Sequence, residues 1–194
     1  MTLDELRAAV PENGWLADAL NRVATEPATI ARLFPQAGRR CGREPLPDAP
    51  DWTADEAARA LLLAALPPGK AADEAPTLYR YGDAAEKRAV LKALAFLPVG
   101  AAGVPLLHDA IRTNDTRLVA AALGPYAAHL DDAAWRQAVL KCVFMGVPLS
   151  AVDDLGKRAD AELAAMLAGL VAERTAAGRE MSADAMALLQ SLKG

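Results

Sequence analysis

An all-α fold is what this sequence predicts, on three observations. A short polar residue with an acid three positions later opens one stretch after another: Thr2-Leu3-Asp4-Glu5, Thr53-Ala54-Asp55-Glu56 and Asp83-Ala84-Ala85-Glu86. The first two match the capping box, in which each side chain bonds the other residue's backbone N–H. Between such starts the apolar residues recur three and four apart, as one face of a helix requires. β-branched residues never form the alternating runs that strands need, and aromatics are only 5% of the chain, so a sheet has little to build on.

Taken in order, residues 1–37 read as N-terminal helices. Residues 38–52 form a loop rich in arginine and proline, and residues 53–194 the main helical stack of a single domain. The loop is set by the run from Ala37 to Asp51, with prolines at 45, 47 and 50 and arginines at 39, 40 and 43. Helices are expected near 53–66, 83–97, 104–113, 115–123, 131–145, 158–177 and 183–192. Ala60 to Leu66 is apolar on every face, which calls for central burial. A second loop is expected from Pro67 to Pro76. Trp135, Val139 and Val143 stand four apart, Leu163, Met166, Leu167, Leu170 and Val171 make another stripe, and Ala185, Leu188, Leu189 and Leu192 a third. Asp131 and Ser182 are the expected N-caps of later helices, and Gly124-Pro125, Gly146-Val147-Pro148 and Gly178 the stops.

One internal repeat is visible. The twelve residues from Asp83 to Leu94 align with Asp132 to Val143 at an offset of 49, seven of them identical, including Val90/Val139, Leu91/Leu140 and Lys92/Lys141. HEAT and armadillo units repeat at roughly 40–47 residues, as two or three helices each. The expectation is therefore a HEAT- or armadillo-like α-solenoid, or a compact right-handed stack of antiparallel helices; an irregular helical bundle is the alternative.

Composition narrows the function. With a net charge of −4 and a pI near 5.2, the chain lacks the basic stripe of a nucleic-acid binder. No apolar run approaches the roughly 18 residues of a membrane span. Met1-Thr2-Leu3-Asp4-Glu5 is not a signal peptide, so a cytoplasmic protein without a transmembrane segment is expected. Two cysteines, Cys41 and Cys142, and two histidines, His108 and His129, lie too far apart in sequence for a zinc pattern, and no nucleophile–base spacing is present. Phosphate loops and dinucleotide fingerprints are absent, so no cofactor is expected.

Two segments could carry chemistry. Gly38-Arg39-Arg40-Cys41-Gly42-Arg43 could lower the pKa of its thiol or hold a planar anion, although arginines of a loop more often face solvent. The densest polar constellation runs from Thr113 to Lys141. Asn114, Arg117, Tyr126, Trp135, Gln137 and Lys141 are the candidate ligand-binding residues, an amide and cations beside an aromatic wall suiting a small polar or anionic metabolite. Each also has a structural reading: a helix cap for Asn114, core for Trp135, a lysine stem laid on the core for Lys141.

Several strings resemble the EboA family. They are Asp51-Trp52-Thr53 followed by Glu56 to Leu63, Leu78-Tyr79-Arg80-Tyr81-Gly82-Asp83, Arg112-Thr113-Asn114-Asp115, Ala134-Trp135-Arg136-Gln137-Ala138-Val139-Leu140-Lys141, Gly146-Val147-Pro148-Leu149 and Arg158 to Leu167. They extend over roughly residues 30–185; Arg136 stands where many relatives have asparagine. The resemblance implies a role in making or exporting a cytosolic metabolite and assigns no catalytic residue. The expected function is a non-enzymatic accessory protein that binds a small polar metabolite or other proteins of the same gene cluster. The alternatives are an enzyme acting on a small anionic substrate through Asn114, Arg117, Gln137 and Lys141, or a pure protein-interaction scaffold.

Overall fold

The computed structural model describes residues 1–192. The chain is mostly helical and divides into two compact units, Met1–Leu106 and Leu107–Gly194.

In the first unit, α1 (Leu3–Ala9) starts on the expected capping box. Thr2 Oγ1 accepts from the Glu5 N–H at 3.2 Å, and the Glu5 carboxylate accepts from the Thr2 N–H at 2.7 Å. α2 (Gly14–Thr25), α3 (Ile30–Leu33) and α4 (Ala37–Arg40) follow, then the strands β1 (Pro45–Leu46) and β2 (Ala49–Thr53), and then α5 (Ala54–Ala64), α6 (Lys70–Tyr81) and α7 (Ala84–Ala93). Helix α5 is the axis of this unit: every residue from Ala54 to Leu63 is buried, with α1, α2, α4, α6 and α7 packed around it. Each buried leucine of Leu61-Leu62-Leu63 contributes about 1.5–3 kcal/mol.

Two expectations are corrected here. The segment from Ala37 to Asp51 is not a plain loop. It begins with α4 and closes into an antiparallel ribbon, Leu46 opposite Ala49 and Pro45 opposite Thr53, with an irregularity between the two pairs. Leu46, Ala49 and Trp52 are buried, and the ribbon supplies partners for backbone that would otherwise be orphaned beneath them. Pro67 to Pro76 is not a loop either, since α6 begins at Lys70 and runs through Pro76. The proline removes one helical hydrogen bond. Ala71, Ala75, Leu78 and Tyr79 nevertheless form a buried stripe at helical spacing, and that burial outweighs the lost bond.

The second unit holds most of α8 (Val104–Arg112), then α9 (Thr116–Ala122), a 3₁₀ turn over Pro125–His129, α10 (Asp132–Met145), α11 (Leu155–Arg158), α12 (Ala161–Ala176) and α13 (Ala183–Ser191). Asp131 caps α10 through the Ala134 N–H at 2.8 Å, as expected. Ser182 makes no capping bond. Asp184 works there instead, accepting from the Leu149 N–H at 2.8 Å and so tying α13 to the turn at Leu149–Ala151. α10 ends at Gly146, past which the Val147 N–H returns to the Cys142 carbonyl at 2.9 Å. The core of this unit is Leu118, Val119, Ala122, Trp135, Ala138, Val139, Cys142, Leu163 and Leu167.

Val90 and Val139, paired in the internal repeat, are both fully buried. The paired lysines part company: Lys92 reaches the start of α5, whereas Lys141 reaches the end of α8. The likeness thus covers the core-facing pattern and not the polar contacts.

Candidate functional site

The densest set of buried charges lies on α5 and α7. Asp55 and Glu56 sit in the first turn of α5, where the helix dipole favours acids, and Arg59 stands one turn later. Because α5 is enclosed on every side, these three are only 2%, 2% and 1% exposed. Burying them is tolerable only with partners. Arg59 bonds Asp55 at 2.5 Å through one terminal nitrogen, donates from Nε to the Phe34 carbonyl at 3.2 Å, and packs over the Phe34 ring at 5.6 Å. Its other terminal nitrogen approaches Glu86 at 3.9 Å. Asp55 also accepts from the Thr53 hydroxyl at 2.6 Å. Glu56 accepts from the Thr53 N–H at 3.2 Å and holds two cations of α7, Arg88 at 3.0 Å and Lys92 at 2.7 Å.

Lys92 completes the cluster by donating to the Asp51 carbonyl at 2.5 Å and lying 4.0 Å above the Trp52 ring, itself tilted against Phe96. Burial pushes the Lys92 ammonium below its ordinary pKa, and the Glu56 carboxylate pulls part of the way back. Gly82 is what lets α7 begin where it does. A Cβ there would stand 2.6 Å from the Leu78 carbonyl and 2.8 Å from Glu86 Cβ, so no other residue admits this turn. Glu86, folded back on it, accepts from the Asp83 N–H at 3.0 Å.

Chemically the cluster positions cations. Each of its buried acids already faces a base. Cys41, at the end of α4, is pushed up to about 11 by burial and by Asp55, against the smaller opposing pull of Arg59. Cys142 is pushed up to about 12 by burial. Neither thiol is an activated nucleophile near neutral pH. Among the described residues no group of three or more His, Cys, Asp or Glu is placed to hold a metal ion.

The six candidates from the sequence lie in the second unit. Lys141 donates to the carbonyls of Ile111 at 2.5 Å and Thr113 at 2.7 Å, closing the end of α8. Asn114 is exposed in the turn that follows. Arg117, also exposed, folds onto Asp115 with contacts of 2.8 and 3.1 Å, and that guanidinium holds the Asp115 carboxyl below its usual range. The structure therefore gathers Lys141, Asn114 and Arg117 about one turn. Tyr126 is buried in the 3₁₀ turn with its ring 4.7 Å from that of His129. Trp135 is 1% exposed beneath the Arg158 guanidinium at 4.8 Å, and its Nε1 has no hydrogen-bond partner among the described residues. Gln137 is exposed on α10, one turn before Lys141.

Sequence reasoning passed over the α5–α7 cluster and two organising arginines. Arg158 donates to the Ala127 and Leu130 carbonyls and to Asp132; Arg136 grips Asp160, the N-cap of α12, at 2.5 Å. A signal for the cluster existed in α5. Asp55, Glu56 and Arg59 lead directly into a stretch apolar on all faces, and a helix buried all round carries its polar residues inside with it. The second unit also has an open groove of about 440 Å³ lined by Val171, Thr175, Gly178, Arg179, Glu180, Met181 and Met186.

Residues 41–190 match the model of the family described as metabolite traffic protein EboA. The chain belongs to the EboA family. The matched span takes in Trp52, Asp55, Glu56, Arg59, Glu86, Arg88 and Lys92, as well as all six candidates between Asn114 and Lys141. No curated protein and no solved structure matches the chain. No helix among the described residues is long and apolar enough to cross a membrane.

Proposed function

We propose that this member of the EboA family is a non-enzymatic accessory of metabolite traffic that binds a small polar or anionic metabolite at the α5–α7 cluster. One observation carries the reading: the buried carboxylates Asp55 and Glu56 hold Arg59, Arg88 and Lys92 in fixed positions on one helix pair. Cations immobilised in advance lose little freedom when an anion arrives, so more of the interaction energy appears as affinity. The segment from Asn114 to Lys141 is the alternative site for the same ligand, its cations held likewise, Lys141 by two carbonyls and Arg117 by Asp115. The α-solenoid arrangement, the single-domain organisation and work in the cytoplasm belong to the same proposal; they rest on the repeat, on the absence of a flexible linker and on the cytosolic metabolite that the family resemblance implies.

A second reading, docking of another protein of the same gene cluster, is favoured by the methionine-lined groove, since flexible thioethers adapt to varied apolar surfaces. Native mass spectrometry of protein purified from its own host separates the two. A retained small molecule supports the first reading and a retained partner chain the second. Emergence of the bare chain under gentle conditions would sink both.

A further inference from the structure

We infer that the surface formed by α12, α13 and the end of α10 is an interface with a second copy of this chain, in which Phe144 of each copy enters the other's methionine-lined groove. This goes beyond both readings above and places a second copy, not another protein, in that groove. The sequence makes α12 and α13 apolar over more of their surface than the unit covers. Of the 16 residues of α12 only Leu163 and Leu167 are buried, and of the 9 of α13 only Ala185 and Leu189. Met166, Leu170 and Val171 on the first helix, and Met186 and Leu188 on the second, are only partly covered. Val171 and Met186, with Met181 from the connecting turn, line the open groove of about 440 Å³.

Projection and recess lie side by side on this unit. Phe144, at the end of α10, is 64% exposed. A single exposed ring is ordinary on a protein surface, but this one is fixed in place. Arg174 packs over the ring at 5.7 Å and donates from one terminal nitrogen to the Phe144 carbonyl at 3.1 Å. Its other terminal nitrogen donates to the carbonyl of Glu180, a groove residue, also at 3.1 Å. The ring is thus anchored beside the groove of its own chain, so little freedom is lost when it enters another. A projection next to a recess is what a two-fold axis converts into two identical contacts. Thioether sulfurs pack favourably against aromatic rings, which suits Met181 and Met186 to this occupant. Charge favours a second copy over an unrelated chain. Arg179 and Glu180, adjacent and exposed in the lining of the groove, carry opposite signs. Across a two-fold axis each copy's Arg179 faces the other's Glu180, and both charges are answered at once.

The test is sedimentation velocity of the full chain over a range of concentrations. An interface with a Kd on the order of 1 µM leaves most of the chain dimeric at about 100 µM. The mass should therefore rise from the 20.3 kDa of one chain toward twice that value. Phe144→Ala should weaken the dimer about tenfold or more, as loss of a central aromatic anchor implies, with the circular dichroism spectrum unchanged. Tyr81→Ala, which removes an 80% exposed ring from the first unit, should change it by less than about twofold. Arg179→Glu and Glu180→Arg should each weaken it about two- to fivefold, and the chain carrying both should regain the wild-type affinity. A wild-type chain still monomeric at about 100 µM would overturn the interface. So would equal losses at Phe144 and Tyr81, or a double reversal weaker than either single one. A complex with a different chain that Phe144→Ala breaks, seen by native mass spectrometry, would overturn it too and assign the groove to that partner.

Discussion

Replacing Arg59 with methionine should be the most damaging single change in the first unit. Methionine keeps most of the stem's volume and removes the guanidinium together with its stacking over the Phe34 ring. What remains is an Asp55 carboxylate 3% exposed, with the Thr53 hydroxyl as its surviving donor, and a Phe34 carbonyl that has lost the Arg59 N–H. Removing one partner of a buried ion pair costs about 3–5 kcal/mol, and at this burial solvent screening gives little relief. Urea unfolding with a slope of about 2 kcal/mol per molar would then show the midpoint falling by about 2 M. Hydrogen exchange read by mass spectrometry should place the loss of protection in α5, α7 and their neighbours within residues 1–106. Adding Asp55→Ala should return part of the loss, with a coupling of at least about 2 kcal/mol, because the orphaned charge goes too. A single-mutant loss below about 1 kcal/mol, or strict additivity in the double mutant, would refute the account of a buried and mutually dependent pair.

Two further outcomes test the second unit. Lys141→Met removes charge-assisted bonds to the Ile111 and Thr113 carbonyls from a half-buried ammonium, and should cost about 1–2 kcal/mol; an unchanged melting temperature would show that the lysine does not close α8. Arg136 and the N-terminal amides of α12 hold the Asp160 carboxyl at about 2 against its ordinary 3.8. That contribution is fully present above the ordinary value and lost as pH falls through about 2, so Asp160→Asn should lower the melting temperature at neutral pH, and the gap to wild type should close on acidification. A gap that stays constant down to about pH 2.5 would refute the assignment.

How much of this could be read beforehand depends on the distance over which each decision is made. Helix starts at Thr2, Thr53, Asp83 and Asp131 were legible, since a cap and the amides it serves lie within four residues of each other. The end of α10 at Gly146 was legible for the same reason. Helix α6 was not, because a proline argues locally for a break while the burial of Ala71, Ala75, Leu78 and Tyr79 argues from outside the segment. The ribbon of β1 and β2 was hidden by its three prolines, and only what packs on Leu46 and Trp52 decides it. Of the candidate site, the apolar stretch after Arg59 stood out in the sequence; the pairing of Arg59, Arg88 and Lys92 with Asp55 and Glu56 did not.

The sequence by itself determined the helical class, most helix boundaries, the resemblance to the EboA family and the apolar faces of α5, α7 and α10. All of these follow from periodicity and from side chains acting within a turn or two of their own backbone. Tertiary structure alone decided the fate of the charges. Asp55 and Arg59, four residues apart, have the spacing of an ordinary solvent-facing pair, and nothing within the helix distinguishes the two cases. Once other elements close around α5, water is replaced by Phe34, Glu86, Arg88 and Lys92. In that setting an unpaired charge costs several kcal/mol and not a fraction of one, and a surface ion pair becomes the fixed centre of a candidate site.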